Sequence, residues 1–600
     1  MKSKIHPCLL FAAGVISLAA AANAAPFVWD GTDNTWTSPH WNGGVGGPTG
    51  GSNADSATIN GGTVTFSGND TFGNNATAAS PVITINNGGT LASGGFFNTM
   101  WDLTLNGGTL LANGGAHPVF GAFKLSGTVT IGGSSASNIS LGAGTNNNVT
   151  LGAADGGNTT FNVADVTNSA VTDLTVSTVL STIGSASGLI KAGAGTMTLT
   201  AANTYTGNTL VNAGTLVVDG GTIAGPGIID IGANAATPAN FTLTSGSVTA
   251  GGQFVIGAHG STGTAAINDG ALQVNGTIYI GGYSEGTGTG TITQTGGTVT
   301  ATGGIDFGGG GPNSGIYNLN GGTLTTPYLS KNNSGTSIIN FNGGTLRTSA
   351  TNANYLQGHT AANVLSGGAV IDTNGFSITI AQALLDGGGG GGLTKDGTGT
   401  LTLSGANIYT GATTVSQGKL LVNGSISSSV LTTVTAGASL GGSGTVGALT
   451  IDSGAFVTPG NSPGTLTVNG NYTQAGQYTT EIAGTAAGSG YDQIGVTGSV
   501  NISGGSLVTM FSGAGYNVGD LLFILTNDLT DAVTGTYTGF AQGETVASYG
   551  GFDWQISYVA DSTGNAFTGG NDIALMAIPE PNVAALIGGF GMFGLLRRRR

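Results

Sequence analysis

The 600-residue chain holds 115 glycines but only 12 basic and 27 acidic side chains, with 39 % apolar residues and a single cysteine. This excludes an ordinary globular enzyme, where about a quarter of residues are charged. It also excludes low-charge disorder, which is poor in apolar residues, and collagen, whose glycines keep a period of three. Turn formers alternating with strand formers remain, and they predict an all-β fold.

From the N-terminus, Lys2 and Lys4 precede an apolar run from Leu9 to Ala21 and a small-x-small ending, Ala22-Asn23-Ala24. This pattern predicts a Sec signal peptide over 1–24, cut between Ala24 and Ala25. A membrane anchor is the bland alternative, but the run is short for a bilayer core of about 30 Å. Cys8 lies inside this segment, so the mature chain has no disulfide and no thiol chemistry. Apart from the two ends, six basic residues stand against 27 acidic ones, a charge of −21 that argues against nucleic acid or anionic lipid as partners. Residues 25–60 carry Trp29, Trp36 and Trp41, rings suited to covering the open edge of a first coil or to stacking on sugars.

Over 61–490 one idea repeats. Asn-Gly-Gly-Thr followed by Leu or Val begins at Asn60, Asn87, Asn106, Asn320 and Asn342, with looser versions at Asp219, Asn268 and Thr295. Asn-Gly and Gly-Gly supply positive φ for a tight turn, and the following Thr-Leu or Thr-Val opens an alternating strand. Antiparallel hairpins could use such turns. A spacing near one coil, sustained without helical pattern, favours a parallel β-solenoid. About 25 coils of ~22 residues, each rising ~4.8 Å, predict a rod roughly 100 Å long. Equivalent positions on stacked coils lie within about 5 Å, so repeated charges would repel while Thr and Asn form ladders.

Two segments, 188–216 and 392–420, match almost residue by residue. Shared marks are Lys191 and Lys395, Gly195 and Gly399, Asn203-Thr204-Tyr205-Thr206-Gly207 and Asn407-Ile408-Tyr409-Thr410-Gly411, then Gly214 and Gly418. Both resemble the autotransporter-associated β-strand repeat, which implies a right-handed parallel β-helix of passenger type. Gly442 to Leu449 and Pro459 to Leu466, followed by Tyr472 and Tyr478, look like the closing coils of such stalks, and the Trp29 to Trp41 stretch resembles their opening module. Autotransporters end in a membrane β-barrel; four arginines stand at this end, so self-translocation is not expected.

Larger apolar clusters, Leu521 to Leu525 and Phe552 to Ile556, predict a closing β domain over 491–572 with a linker near Asp572. Residues 577–600 then read Pro579-Glu580-Pro581, an uncharged segment 583–596, and Arg597, Arg598, Arg599 and Arg600. A short apolar segment closed by arginines stays in the membrane with its charges inside. The order of parts resembles the PEP-CTERM sorting signal, which implies transient membrane insertion through 583–596 and recognition by an exosortase-like peptidase. A plain C-terminal anchor is the alternative.

Carboxylates that could serve a polysaccharide lyase or glycoside hydrolase are Asp30 with Asp33, Asp528 with Asp531, and Asp386 with Lys395 and Asp396. Each is more simply a turn residue beside glycine or at a bend. His40, His117, His259 and His359 are too scattered for a metal pair. The glycine strings 308–311 and 387–392 lack the Lys-Ser/Thr of a phosphate cradle. No catalytic, metal or cofactor residue is therefore assigned. The reading is an exported surface or matrix protein of structural or adhesive role, with extracellular polysaccharide as a partner; the alternative is a polysaccharide-binding or polysaccharide-degrading β-helix enzyme.

Overall fold

In a computed structural model the described residues run from 26 to 580, apart from 32, 38–55, 70, 72–81, 116, 153–156, 183, 185, 226, 235–236, 284–286, 310, 333 and 529–530. Strands and turns make up this stretch, and its strands wind into three-sided coils. Face one is a 21-stranded sheet from Pro26–Val28 to Ser506–Phe511. Face two is a 15-stranded sheet from Asn34–Thr35 to Leu384–Asp386, taken up again by a sheet that opens at Ser425–Ile426. Face three is a 4-stranded sheet followed by a 14-stranded one, which closes at Val500–Asn501. The coils pair in parallel, as in Leu189↔Thr209 and Thr209↔Ile229. Hairpins are thereby overturned and the parallel β-solenoid stands.

Twenty-one strands on face one replace the 25 coils expected, because coil length is far from uniform. One step along the stack takes 17 residues from Thr432 to Leu449 and 37 from Ser137 to Leu174. Short strands with alternating burial supply the core, and Val64, Leu91 and Leu110 stack in register. Each such side chain contributes roughly 1.5–3 kcal/mol by leaving water. The Asn-Gly-Gly-Thr corner is less uniform than its sequence. The first glycine takes positive φ at Gly88, Gly107 and Gly343, the second at Gly62 and Gly322. Asparagines form the expected ladders: Asn86 Nδ2 donates to Asn60 Oδ1 at 2.6 Å and Asn106 Nδ2 to Asn86 Oδ1 at 2.9 Å.

Both ends of the stack are covered. Trp29 and Trp36 are buried, and the Trp36 ring lies 5.0 Å from Phe66. These two rings belong to the first coil's core, which overturns a sugar platform built on them; Trp41 lies outside the described residues. At the other end, parallel pairing continues past residue 491 to Leu521–Thr526, whose other edge pairs antiparallel with Asp572–Pro579. Phe552–Ala560 and Thr545–Tyr549 complete this cap. Leu522 to Leu525 are all buried because both faces of that strand are covered. The linker placed near Asp572 is instead a strand: Asp572 is buried, and its carboxylate accepts the backbone N–H of Asn527 at 2.8 Å and of Ser562 at 2.6 Å. No helix among the described residues is long and apolar enough to cross a membrane.

Candidate functional site: buried clamps and an outer cleft

The shared Lys, Asn and Tyr of the two matching segments turn inward, while the shared Thr206 and Thr410 stay exposed. Lys191 is fully buried, and its ammonium donates to the carbonyls of Ala192 (3.0 Å), Gly193 (2.8 Å) and, one coil on, Ala213 (3.0 Å). Lys395 repeats this with Asp396 (2.9 Å), Gly397 (2.7 Å) and Gln417 (3.0 Å). Burial pushes the Lys191 ammonium down to about 7, against the pull of Asp173, and Lys395 to about 8, against Asp396 and Asp372. Asn203 accepts the Leu180 N–H and donates to Ala201 and Thr222, so it ties three coils; Asn407 does the same with Leu384, Gly405 and Ser425. The buried Tyr205 and Tyr409 hydroxyls meet Thr209 and Thr413 at 2.6 and 2.8 Å. Gly195 and Gly399 sit where a Cβ would come within 2.3 Å of the Ala164 carbonyl oxygen and 1.8 Å of the Phe376 one. These residues are clamps between coils.

Among the carboxylate candidates, Asp386 and Asp396 hold local turns and Asp33 ties one coil to the next. Asp33 accepts the Thr63 N–H, Asp386 the Gly388 N–H at 2.9 Å and Asp396 the Gly397 N–H at 2.8 Å. Asp528 and Asp531 lie in the loop after Leu521–Thr526, where the Asp531 backbone carbonyl accepts Asn527 and Asn571 side chains. His117 stacks on Phe120 at 4.7 Å, His259 is exposed with φ 54°, and His359 is buried, which pushes it down to about 4; His40 lies outside the described residues. Among the described residues no three His, Cys, Asp or Glu gather as metal ligands. Sequence reading missed Asp173, whose two oxygens take the N–H groups of Val166, Thr167 and Thr196. It also missed the ion pair of Arg347 Nε with Asp372 at 2.7 Å, made between adjacent coils.

A cleft on the outer surface of face one is built from residues a full coil apart. Tyr279, Asp306 and Ser330 follow one another in register. Tyr283, 39 % exposed, lies 5.8 Å from Tyr279 and 6.0 Å from His259, ring to ring. Tyr328 covers Gly304, where a Cβ would fall 2.3 Å from its ring, and donates its hydroxyl to the Gly303 carbonyl at 2.6 Å. Asn332 Nδ2 donates to Asp306 Oδ2 at 2.6 Å, and Asp306 Oδ1 is buried without a partner. Strand Asn352–Leu356 shifts register between Asn352 and Leu356, leaving Ala353 and Asn354 exposed. Tyr328, Lys331 and Asn332 on one coil and Asn354, Gln357 and Gly358 on the next line a cavity of about 450 Å³, and Tyr279, Tyr283 and Asp306 flank it on the preceding coils, outside its lining.

A family model described as the passenger-associated-transport-repeat matches residues 189–218 and 393–422. The chain carries two passenger-associated transport repeats. It is also 44 % identical over 97 residues to an extracellular serine protease of Serratia marcescens, over 16 % of this chain and 9 % of that protein. Over 260 residues it is 30 % identical to the adhesin BmaC autotransporter of Brucella suis biovar 1, over 40 % of this chain and 7 % of that protein. The chain thus spans less than a tenth of the length of these two relatives.

The two passenger repeats do not occupy the same side of the rod. Lys191 lies in Leu189–Ala192 on face one, whereas Lys395 lies in Leu393–Asp396 on face three. The strands that follow, Thr196–Leu199 and Thr400–Leu403, lie on faces two and one. The second repeat is therefore turned by one face, and its clamps still close, because a repeat's partners are its own neighbouring coils. Of the sorting residues, Pro579 ends the last strand and Glu580 follows it, both exposed. Ala22, Ala24, Ala25, Pro581, the segment 583–596 and Arg597 to Arg600 lie outside the described residues.

Proposed function

We propose that this chain is an exported surface or matrix protein whose rod is a structural and adhesive scaffold. The observation that carries the reading is that both passenger repeats engage their polar side chains in tying coils together. One relative over 260 residues is named as an adhesin, which supports adhesion, and both relatives are named as an autotransporter or an extracellular protein, which supports export. Asp386 and Asp396 are each engaged in a local turn and Asp33 in a tie between coils, which favours a scaffold over a polysaccharide lyase or glycoside hydrolase.

Delivery begins at the Sec translocon with loss of 1–24 and ends at an exosortase-like peptidase acting at Pro579-Glu580-Pro581, after 583–596 enters the membrane. Exposure of Pro579 and Glu580 at the end of the cap supports access to that site. In an exosortase-bearing bacterium, cells expressing the chain should show a protease-accessible rod and adhere to a polysaccharide-coated surface. Replacing Pro579, Glu580 and Pro581 together by alanine should leave a larger, membrane-held product. Equal adhesion by cells lacking the chain would sink the first claim, and an unchanged size and location would sink the second. Product release from neutral or acidic glycans by the purified chain would favour the enzyme instead.

A further inference from the structure

The cleft on face one is shaped by contacts between neighbouring coils on the outer surface. Tyr328 is pinned over Gly304 by its own hydrogen bond, so its ring loses little freedom on meeting a ligand. Tyr283 presents a half-open ring beside Tyr279. Asp306 takes one N–H of Asn332 and so fixes that exposed amide, with its carbonyl oxygen and remaining N–H available beyond the pair. Asn354 and Gln357, both exposed, add two further amides on the ledge made by the register shift. Amides donate and accept, as sugar hydroxyls do, and aromatic faces pack against the C–H faces of sugar rings.

The charge pattern narrows the ligand. Lys331 is the cationic side chain in the lining, and its ammonium already donates to Thr360 Oγ1 at 3.3 Å. Buried Asp306 and a chain of net charge −15 disfavour a polyanion. The cavity is lined from two adjacent coils, and Tyr279 and Asp306, in register on the two coils before them, extend the same face to three coil rises, about 14 Å at ~4.8 Å each, room for a run of linked sugars along the rod.

We propose that this cleft and the face beside it bind a neutral polysaccharide laid along the rod axis, with Tyr328 in the cavity and Tyr283 on its flank as stacking rings, Asn332, Asn354 and Gln357 as hydrogen-bonding amides, and Asp306 as a positioning residue for Asn332. This rests on the adhesive reading above and gives it a ligand class.

Affinity electrophoresis of the full chain through gels containing hydroxyethylcellulose, dextran or polygalacturonate tests it. At least one neutral polymer should retard the chain, and polygalacturonate should not. The double variant Tyr283→Ala, Gln357→Ala, exposed at both positions, should lose about tenfold or more in affinity with its melting temperature unchanged. Asn332→Asp, which sets a second carboxylate against Asp306, should lose as much. The pair Val119→Ala, Phe120→Ala, on an exposed patch elsewhere, should bind as the unaltered chain does. Retardation untouched by the cleft variants overturns the proposal, as does no retardation by either neutral polymer or a preference for polygalacturonate. If cells displaying the chain still adhere in those cases, the adhesive reading survives and the glycan cleft alone is lost.

Discussion

Lys191 and Lys395 show what a single residue does in a rod with so few charges. A buried ammonium is costly unless its protons are taken, and here three carbonyls from two coils take them. Lys191→Met or Lys395→Met should leave those carbonyls without a donor and cost about 2–4 kcal/mol each; an unchanged denaturant midpoint would refute the clamp. The same lysines set a pH dependence. Their folded values of about 7 and 8 lie below the usual 10.5, so between these limits the unfolded chain binds more protons and stability rises with pH. Chemical denaturation at pH 7 and pH 9 should show this rise, at most about 1.4 kcal/mol per pH unit per lysine, and the double Met variant should flatten it. Asp230 and Asp492, raised by burial to about 6, act oppositely: their contribution is present below pH 4 and is lost as pH rises through 6. A stability minimum near neutral pH is the expected result, and a maximum there would contradict both assignments. The lysines were visible in sequence as shared letters, but their carbonyl partners were not, because Ala213 and Gln417 become neighbours only when a coil closes.

At the scale of the strand and turn, glycine is needed where coils touch. Gly399→Ala would drive a methyl group into the Phe376 carbonyl, and a loss of roughly 1–3 kcal/mol is expected from the shift this forces; a wild-type melting curve would show that the coils have slack there. The alternation of Thr with Val, Ile or Leu was readable in the sequence, and so were the corners after Asn. Which glycine of a corner takes positive φ was not, since Gly62 and Gly88 occupy different places in the same four letters. The cap depends on one strand serving two partners: Leu521–Thr526 continues the parallel stack on one edge and begins an antiparallel sheet on the other. Ending the chain at residue 512 should uncover the edge of Gln493–Val496 and make the rod self-associate. Light scattering of the truncated and full chains checks this, and an equally monodisperse truncated protein would argue that the edge is protected otherwise.

For the whole molecule, 21 stacked strands at ~4.8 Å give a rod of about 100 Å. Small-angle scattering or negative-stain images should show that length for residues 25–577, and a compact particle would refute it. The coil count falls from the 25 expected to 21 because an even division of the whole body counts cap residues as coils. The outer cleft belongs to this scale as well. Tyr279, Tyr283, Asp306, Tyr328 and Asn354 carry no motif, and only stacking brings them to one surface.

By itself the sequence determined the kind of structure: short alternating strands, glycine corners, two passenger repeats and almost no charge suit a parallel stack, because local turn chemistry and the period of burial are written in neighbouring residues. Tertiary structure decided where things fall around the axis. Between the repeats the coils on face one step by 20 to 27 residues, and the second repeat begins two faces past a whole number of coils, carrying Lys395 to face three while Lys191 lies on face one. The same accumulation of lengths fixes which side chains meet across coils, and those meetings are long-range contacts that no local pattern specifies.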